Sequence, residues 1–402
     1  MNSDLPLTVD QIPAPTADSA TDVTAGPRQR TPSRLQSLDI LRGITVALMI
    51  LVNTSGDGAH TYPILAHSRW NGCTLADVVF PCFLFMVGIS GVFSVTGRLN
   101  RGASRRTILL AAFRRAAIIF AIGLAINGFP RFPWHTLRIY GVLQRIALCY
   151  LIATALFLWF RTRTLVLITV AILAGYWALL RFAPVPGIGR PGISIPFLDP
   201  YGNLPAWLDR ALIPAKHLYR HTFYDPEGLL STLPAVASTL MGTLTGVWIR
   251  RVQSLAATAR GIAIAGLLCL AAGWLWSPWF PWNKRLWTSS YVLWTGGIAL
   301  VTLSLISWLV DLRKISPRWL HPATVFGMNA LVAYVFSEFL ASFLGAIHLH
   351  GSGLTIQRWL YHPLATTIPN PQIAALTYAV LYVAVCYVPV LVLYRRKIFV
   401  KV

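Results

Sequence analysis

The stretch LADVVFPCFLFMVGISGVFSVTG (75–97) decides the fold class of this chain. It is almost entirely apolar over slightly more than the ~20 residues that an α-helix needs to cross the ~30 Å hydrocarbon core of a bilayer. Asp77, near its start, is its only charged residue, and Pro81 is expected to kink the helix. The stretch is therefore predicted to be a transmembrane helix.

The composition of the whole chain points the same way. Of its 402 residues, 55% are apolar and only 12% are charged, whereas a soluble domain carries about 25% charged residues. The net charge of +21 would suit a nucleic-acid-binding protein, but such a protein would not be this apolar. We therefore expect no nucleic-acid partner and a chain that is surrounded by membrane lipid.

Comparable apolar stretches recur along the chain and predict about ten transmembrane helices. They lie at about 37–54, 75–97, 107–126, 139–160, 164–182, 229–249, 261–277, 287–309, 322–347 and 372–394. The Arg-rich first half of the third stretch leaves an inner loop open as an alternative there. The predicted fold class is all-α, a polytopic integral membrane protein with both termini in the cytoplasm.

The cytoplasmic placement of the termini follows from the distribution of Lys and Arg. With both termini inside, the inner segments hold 21 of these residues and the short outer loops hold six. Such an excess is typical of cytoplasmic loops, and the long outer loop at 183–228 is left out because long loops translocate largely regardless of charge. The six outer residues are Arg69, Arg131, Arg138, Lys284, Arg285 and Arg358.

Residues 1–34 differ from the remainder of the chain. They contain five prolines among Ser, Thr, Ala and Asp, a composition that cannot bury enough apolar surface to fold. They also lack the basic start and apolar stretch of a cleavable signal peptide. We predict a disordered cytoplasmic tail at 1–34 and a transmembrane domain at 35–402.

The five cysteines show no metal-ligand spacing and lie mostly in apolar stretches. We interpret Cys73, Cys82, Cys149, Cys269 and Cys386 as small core residues, neither disulfides nor zinc ligands. No loop gathers other metal ligands, so no metal is expected.

Polar residues near the ends of the first two predicted helices form the candidate catalytic group. Histidine is the usual general base near neutral pH because its unperturbed pKa is about 6.5, which makes His67 the first candidate and His60 the second. Asn53 could orient a reacting group or donate to a developing oxyanion. The alternative for each histidine is an ordinary solvated loop residue.

Two acidic residues near this group have structural interpretations as well. Asp77 could steady His67, or it could cap the second helix, since Thr74 and Asp77 have the spacing of a capping box. Asp39 and Arg42 lie three positions apart and therefore share a helix face on which they can pair.

Several ordered motifs carry a family resemblance. The run LDILRGITVALMILVN…HSRWNGCTLADVVFPCFLFMVGIS (38–90) resembles the start of the heparan-α-glucosaminide N-acetyltransferase family, a family of transmembrane acyltransferases with bacterial members. The similarity continues through RIYGVLQRIALCYL (138–151), YDPEGLLSTLPAVASTLMGTLTG (224–246), NKRLWTSSYVL (283–293) and FGMNALVAYVFSEF (326–339). It covers nearly everything from Ser37 onward.

This resemblance implies transfer of an acetyl group from cytosolic acetyl-CoA to the amine of a terminal glucosamine across the membrane. The family's active-site histidine matches His67, in the context HSRWNG (67–72) that includes Asn71, and its assisting asparagine matches Asn53. His67 could act as a general base or become acetylated itself. Direct transfer is favoured because it needs only one base and an oriented thioester.

Other residues in the matching motifs are expected to line a substrate cavity. These are Arg145, Asn329 and Glu338. Glu227 could contact the acceptor amine, or it could stabilise the N-terminus of the helix that follows it. Asp39 and Arg42 could contact the phosphates of the donor. Gly242 and Gly246 form a GxxxG motif that suits close helix packing or a contact in a homodimer.

Three alternatives to an N-acetyltransferase remain open. A secondary transporter is compatible with ten spans, although no second copy of the D-x-x-R-G or W-N-G motif indicates an internal repeat. An O-acyltransferase acting on an envelope glycan would use the same site, and a non-catalytic scaffold would not need the buried polar residues. The resemblance implies a bacterial inner membrane protein with the active-site loop facing the periplasm.

Overall fold

The computed structural model describes residues 35–315, 317–349 and 353–400, which form helices and connecting loops. The predicted tail at 1–34 lies outside the described residues. The α-helices are α1 (Gln36–Asn53), α2 (Leu75–Leu99), α3 (Arg105–Gly128), α4 (Val142–Trp159), α5 (Thr162–Phe182), α6 (Leu204–Leu212), α7 (Leu229–Arg251), α8 (Leu255–Trp276), α9 (Ser289–Ile306), α10 (His321–Met328), α11 (Ala330–Ala346), α12 (Ile356–Thr367) and α13 (Pro371–Arg395). In the described ranges, β structure is limited to three isolated bridges.

The structure confirms an all-helical polytopic membrane protein. Nine helices of the described chain are long and apolar enough to cross a membrane, and a tenth span results if α10 and α11 are counted together. Helix α3 continues from Arg105 to Gly128, so the inner-loop alternative for the third stretch is wrong. Helix α2 continues through Pro81.

Three features of the fold were not predicted. The ninth span is broken at Asn329, where α10 and α11 meet at a bend of 81°. Helix α6, within the long loop, and helix α12, before the last span, are too short to cross a membrane. Helix α9 continues as a π-helix over Ser307–Leu312.

Two pairs of glycines bring helix backbones into direct contact. A methyl group on Gly88 of α2 would lie 2.0 Å from the carbonyl oxygen of Thr239 in α7, and one on Gly242 would lie 1.9 Å from that of Phe85. The GxxxG face of α7 is therefore covered by α2 of the same chain, and its interpretation as a dimer contact is wrong.

Helices α1 and α10 approach in the same way. A methyl group on Gly43 would lie 1.6 Å from the carbonyl oxygen of Ala323, and one on Gly327 would lie 1.9 Å from that of Asp39. This contact holds the first half of the broken span against α1. Helix α11 then leaves at the bend and reaches the residues near the end of α1.

The bundle has two chemically different ends. At one end, here called the loop end, the segments 54–74, 129–141, 183–228 and 277–288 contact one another; Trp70 donates its indole N–H to Leu198 O at 2.8 Å, for example. The other end, here called the arginine end, carries the segments 98–106, 161–163, 250–260, 313–315, 317–318 and 395–397. The candidate site lies at the loop end.

Candidate active site

His67 and Asp77 form a hydrogen-bonded pair at the start of α2. The Nδ1 atom of His67 lies 2.9 Å from Oδ1 of Asp77. The other carboxylate oxygen of Asp77 accepts the backbone N–H groups of Ser68 at 3.0 Å and Thr74 at 3.1 Å. Asp77 thus both caps α2 and orients His67, so the two interpretations of this residue hold together.

Pairing through Nδ1 leaves the second ring nitrogen of His67, Nε2, without a bond to Asp77. The side chain of Asp77 is fully buried, whereas that of His67 is 40% exposed. When Nδ1 carries the proton and donates it to the carboxylate, Nε2 keeps the lone pair. This arrangement suits a general base that removes a proton from a bound molecule.

Lys284 approaches the same pair from the segment before α9. Its Nζ atom lies 3.1 Å from Nδ1 and 3.4 Å from Nε2 of His67, and 3.7 Å from Oδ1 of Asp77. Burial lowers the pKa of Lys284 because it disfavours the charged ammonium, and the carboxylates of Asp77 and Glu227 offset part of that effect. Sequence analysis missed this residue; its place in the NKRLW motif was the available signal.

Two hydrogen bonds fix the loop of His67 against the segment of Lys284. The amide of Asn283 donates to Oδ1 of Asn71 at 3.1 Å, and the backbone N–H of Gly72 donates to Trp282 O at 2.7 Å. Asn71 therefore holds the two segments together and does not line the cavity itself.

Asn53 ends α1 on another wall of the site. Its amide donates to Oε1 of Glu338 in α11 at 3.4 Å. Tyr334, one helical turn before Glu338, lines the same cavity. The bend at Asn329 is what brings these two α11 residues to the end of α1.

Glu227 belongs to an ion cluster with Arg138. The Nη2 atom of Arg138 lies 2.5 Å from both Oε2 of Glu227 and Oδ1 of Asp225, and its Nε donates to Asp225 Oδ2 at 2.9 Å. Burial alone would raise the pKa of Glu227, but Arg138, Arg145 and Lys284 together outweigh burial and lower it. The cluster supports a structural role for Glu227 at the start of α7. Arg138 was not singled out from the sequence.

These side chains surround one cavity of about 360 Å³. It brings together five of the predicted site residues, namely Asn53, His67, Asp77, Glu227 and Glu338. Gln144 of α4 also lines it; this residue is 2% exposed, and its Nε2 has no hydrogen-bond partner among the described residues. A buried N–H without a partner indicates a place for a ligand oxygen or a water.

Arg145 lies behind the cavity wall. It is 1% exposed and donates to Gly228 O at 3.1 Å and to the hydroxyl of Ser231, and its guanidinium carbon lies 5.0 Å from the centre of the Trp287 ring. Arg145 is not among the residues that line this cavity, and its contacts fix the start of α7.

Asp39, Arg42 and Asn329 lie at the arginine end. Arg42 pairs with Asp39 at 3.4 Å and donates to Gly327 O at 3.0 Å, which supports a structural ion pair. Asn329 donates to Ile398 O and accepts the N–H of Val400, both at 3.0 Å. Asn329 therefore holds the segment after α13, and the expectation that it lines the cavity does not hold.

Comparison with known proteins places these residues in a family context. The family model described as "Heparan-alpha-glucosaminide N-acetyltransferase, catalytic" matches residues 34–200, which include Asn53, His67 and Asp77. Heparan-alpha-glucosaminide N-acetyltransferase of Mus musculus is 29% identical over 433 residues, and that of Homo sapiens is 28% identical over 425 residues. The alignments cover 93% and 92% of this chain, and 61% and 60% of the relatives, so the chain spans about three fifths of their length.

Proposed function

We propose that this chain, whose similarities support membership of the heparan-alpha-glucosaminide N-acetyltransferase family, transfers an acetyl group from acetyl-CoA to the amine of an amino sugar. The observation that carries the proposal is the His67–Asp77 pair, which presents one ring nitrogen to a cavity lined by polar side chains.

His67 acts as the general base in this proposal. The acceptor amine attacks the thioester carbonyl carbon, and its proton passes to Nε2 of His67. The new C–N bond forms while the C–S bond breaks, and His67 returns the proton to the departing thiolate. Asp77 stabilises the imidazolium that forms in between, because its carboxylate accepts the Nδ1–H at 2.9 Å.

Asn53 stabilises the oxyanion in the same step. A side-chain amide has two N–H donors, and one of those in Asn53 is directed to Glu338. The other is available to the thioester oxygen. Removing one such donor typically costs about 10²–10³ in kcat.

The two ends of the bundle fit the two substrates. Charged phosphates prevent acetyl-CoA from crossing a bilayer, so its nucleotide stays at the cytoplasmic side while the pantetheine arm reaches into the bundle. We assign the arginine end to the cytoplasm and the loop end to the periplasm of a bacterial inner membrane. The excess of Lys and Arg at the arginine end supports this orientation.

The test measures acetyl transfer from radiolabelled acetyl-CoA to glucosamine by detergent-purified protein. His67→Ala is compared with His60→Ala, a matched control in the same loop. His60 forms its own pair with Asp57 at 2.7 Å, and its side chain is 50% exposed. We expect His67→Ala to lose about 10²–10⁴-fold in rate and His60→Ala to stay close to the wild type.

The remaining outcomes separate donor from acceptor. If the wild type binds acetyl-CoA without acetylating glucosamine, the acceptor assignment is wrong and a panel of glycans with free amines or hydroxyls follows. If the wild type does not bind acetyl-CoA, the acyltransferase proposal fails and a transporter becomes the better hypothesis. Acetyl-His67, detected by mass spectrometry after rapid quenching, would replace direct transfer by a two-step route.

A further inference from the structure

The mechanism above gives no role to Lys284, a cation in contact with His67. The Nζ atom of Lys284 lies within 3.1–3.4 Å of both ring nitrogens, and only 17% of its side chain is exposed. An ammonium group has three hydrogen donors and no acceptor. In the pair with Asp77, Nδ1 carries the proton, so the ammonium acts on the ring through its charge.

The Asp77 carboxylate by itself would work against a base. An opposite charge within ~4–6 Å favours the protonated form of a histidine, and a protonated ring has no lone pair with which to accept a proton. A second cation beside the ring has the reverse effect. Lys284 is placed to supply it, because it lies close to both members of the pair.

We propose that Lys284 is a positioning residue that keeps His67 neutral, with a lone pair available to accept a proton, in the presence of the Asp77 carboxylate. This inference rests on the proposed function. The same charge favours the second proton transfer. Once His67 has accepted the proton of the amine, the ammonium of Lys284 repels the imidazolium and favours release of that proton to the departing thiolate.

The other groups around Lys284 do not replace its charge. Arg285, on the same segment, is a second cation that donates to the hydroxyl of Tyr224, and the carboxylate of Glu227 is already paired with Arg138 at 2.5 Å. Cys73 also faces Lys284, but burial raises the pKa of its thiol to about 12, which leaves it neutral near neutral pH. Asp77 and His67 also lie within 4 Å of the Lys284 Nζ atom. Replacing Lys284 therefore leaves the Asp77 carboxylate unopposed at the ring.

The test reads the protonation of His67 without any substrate. Diethyl pyrocarbonate modifies neutral imidazole, and mass spectrometry of peptides resolves its reaction at His67 from that at other histidines. The rate is measured across a pH range of about 5 to 9, which brackets the unperturbed imidazole pKa of ~6.5. The pH of half-maximal reaction is compared between variants.

We expect Lys284→Met and Lys284→Gln to move that midpoint upward by about one pH unit, a tenfold change in the fraction of neutral ring at a given pH. Lys284→Arg keeps the charge and should stay near the wild-type midpoint. Lys216→Met is the matched control, because Lys216 is an exposed lysine in the long loop. Size-exclusion profiles establish that each variant is folded, and the Gln variant carries the test if the Met variant aggregates.

An unchanged midpoint in both uncharged variants would refute the inference, and so would an equal shift in Lys284→Arg. The result is independent of the acetyl-transfer assay. A shifted midpoint in a protein that acetylates no acceptor supports the charge coupling and counts against the proposed function. Acetyl transfer by a protein whose midpoint does not shift supports the proposed function and counts against the charge coupling.

Discussion

Asn53, the last residue of α1, donates its side-chain amide to Glu338 of α11 at 3.4 Å, across 285 positions of sequence. The chain contains only two glutamates, Glu227 and Glu338, and both line the cavity. The Glu338 contact parallels the one between Asp77 and His67, since in each pair a carboxyl group orients the side chain to which a catalytic role is assigned.

This relationship predicts non-additive effects at Asn53 and Glu338. Glu338→Gln weakens a hydrogen bond that orients the Asn53 amide, and we expect a roughly tenfold fall in kcat because bonds to charged groups contribute about 1.5–3 kcal/mol. In the Asn53→Ala background the same change should have little further effect. Transfer rates of the four proteins form a double-mutant cycle, and additive losses would show that Glu338 acts independently of Asn53.

Asp77→Asn should slow transfer by about 10²-fold or more, because the amide group, unlike the carboxylate, can donate to the ring and fix the wrong tautomer. The acidic limb of the pH–rate profile should move to lower pH, opposite in sign to the change expected for Lys284→Met. Steady-state rates across pH measure both effects. Asp57→Asn is the control, because it removes the carboxylate of the exposed His60 pair. If the pH–rate profile of Asp77→Asn coincides with that of the wild type, Asp77 does not influence the protonation of His67.

Gln144→Leu should affect stability and binding in opposite directions. It removes a buried N–H that has no partner among the described residues, so the unfolding temperature should stay constant or rise. A substrate oxygen that bonds to this N–H should bind about three- to tenfold more weakly, in line with a net hydrogen-bond contribution of ~0.5–1.5 kcal/mol. Acetyl-CoA affinity and acceptor KM, measured separately, identify which substrate it is. Unchanged values for both would exclude Gln144 from binding.

Asp209 should make stability depend on pH. Its carboxylate accepts the N–H groups of Asp225 at 3.1 Å and Leu229 at 3.2 Å, and burial raises its pKa from 3.8 to about 6. A raised folded-state pKa means that the stabilisation is fully present below about 3.8 and is lost as the pH rises through about 6. The change is roughly 3 kcal/mol.

Thermal unfolding in detergent between about pH 4 and pH 7 tests this window. Asp209→Asn should flatten the decline in stability that the wild type shows between those limits. If wild type and variant have parallel pH profiles, Asp209 does not titrate in the folded protein as described.

Gly242→Ala should destabilise the bundle by about 1–3 kcal/mol, because the added methyl group overpacks the interface at 1.9 Å from the carbonyl oxygen of Phe85. Gly91→Ala in α2 is the control, since a methyl group there meets nothing within 4 Å. The control should be neutral or slightly stabilising, because alanine is the better helix former. Equal unfolding temperatures for the two variants would contradict the close approach of α2 and α7.

Local sequence was sufficient to predict the His67–Asp77 pair. The two residues are ten positions apart, and the turn before a capped helix brings them together whatever the remainder of the bundle does. The lengths of the apolar stretches likewise predicted the spans, because a bilayer sets a minimum length for each.

Partners that are distant in sequence could not be predicted in this way. Lys284 reaches His67 only because the segments 54–74 and 277–288 are joined through Asn71 and Asn283. Asn329 and Arg145 were expected at the cavity because they are polar residues in apolar helices. Such a residue can instead bond to a backbone carbonyl, as both do here, and sequence does not distinguish the two solutions.

Because α11 begins at the bend at Asn329, a small tilt of this helix is enough to displace Glu338 from Asn53. Its pivot is tied to Ile398 and Val400 at the arginine end, and Glu338 lies nine residues along the helix, about 13 Å away at 1.5 Å per residue. A tilt of only about 5° about this pivot would carry the Glu338 carboxyl roughly 1 Å, enough to lengthen its contact with Asn53 beyond hydrogen-bonding range. The precision with which Glu338 orients the Asn53 amide is thus set by hydrogen bonds at the arginine end of the bundle.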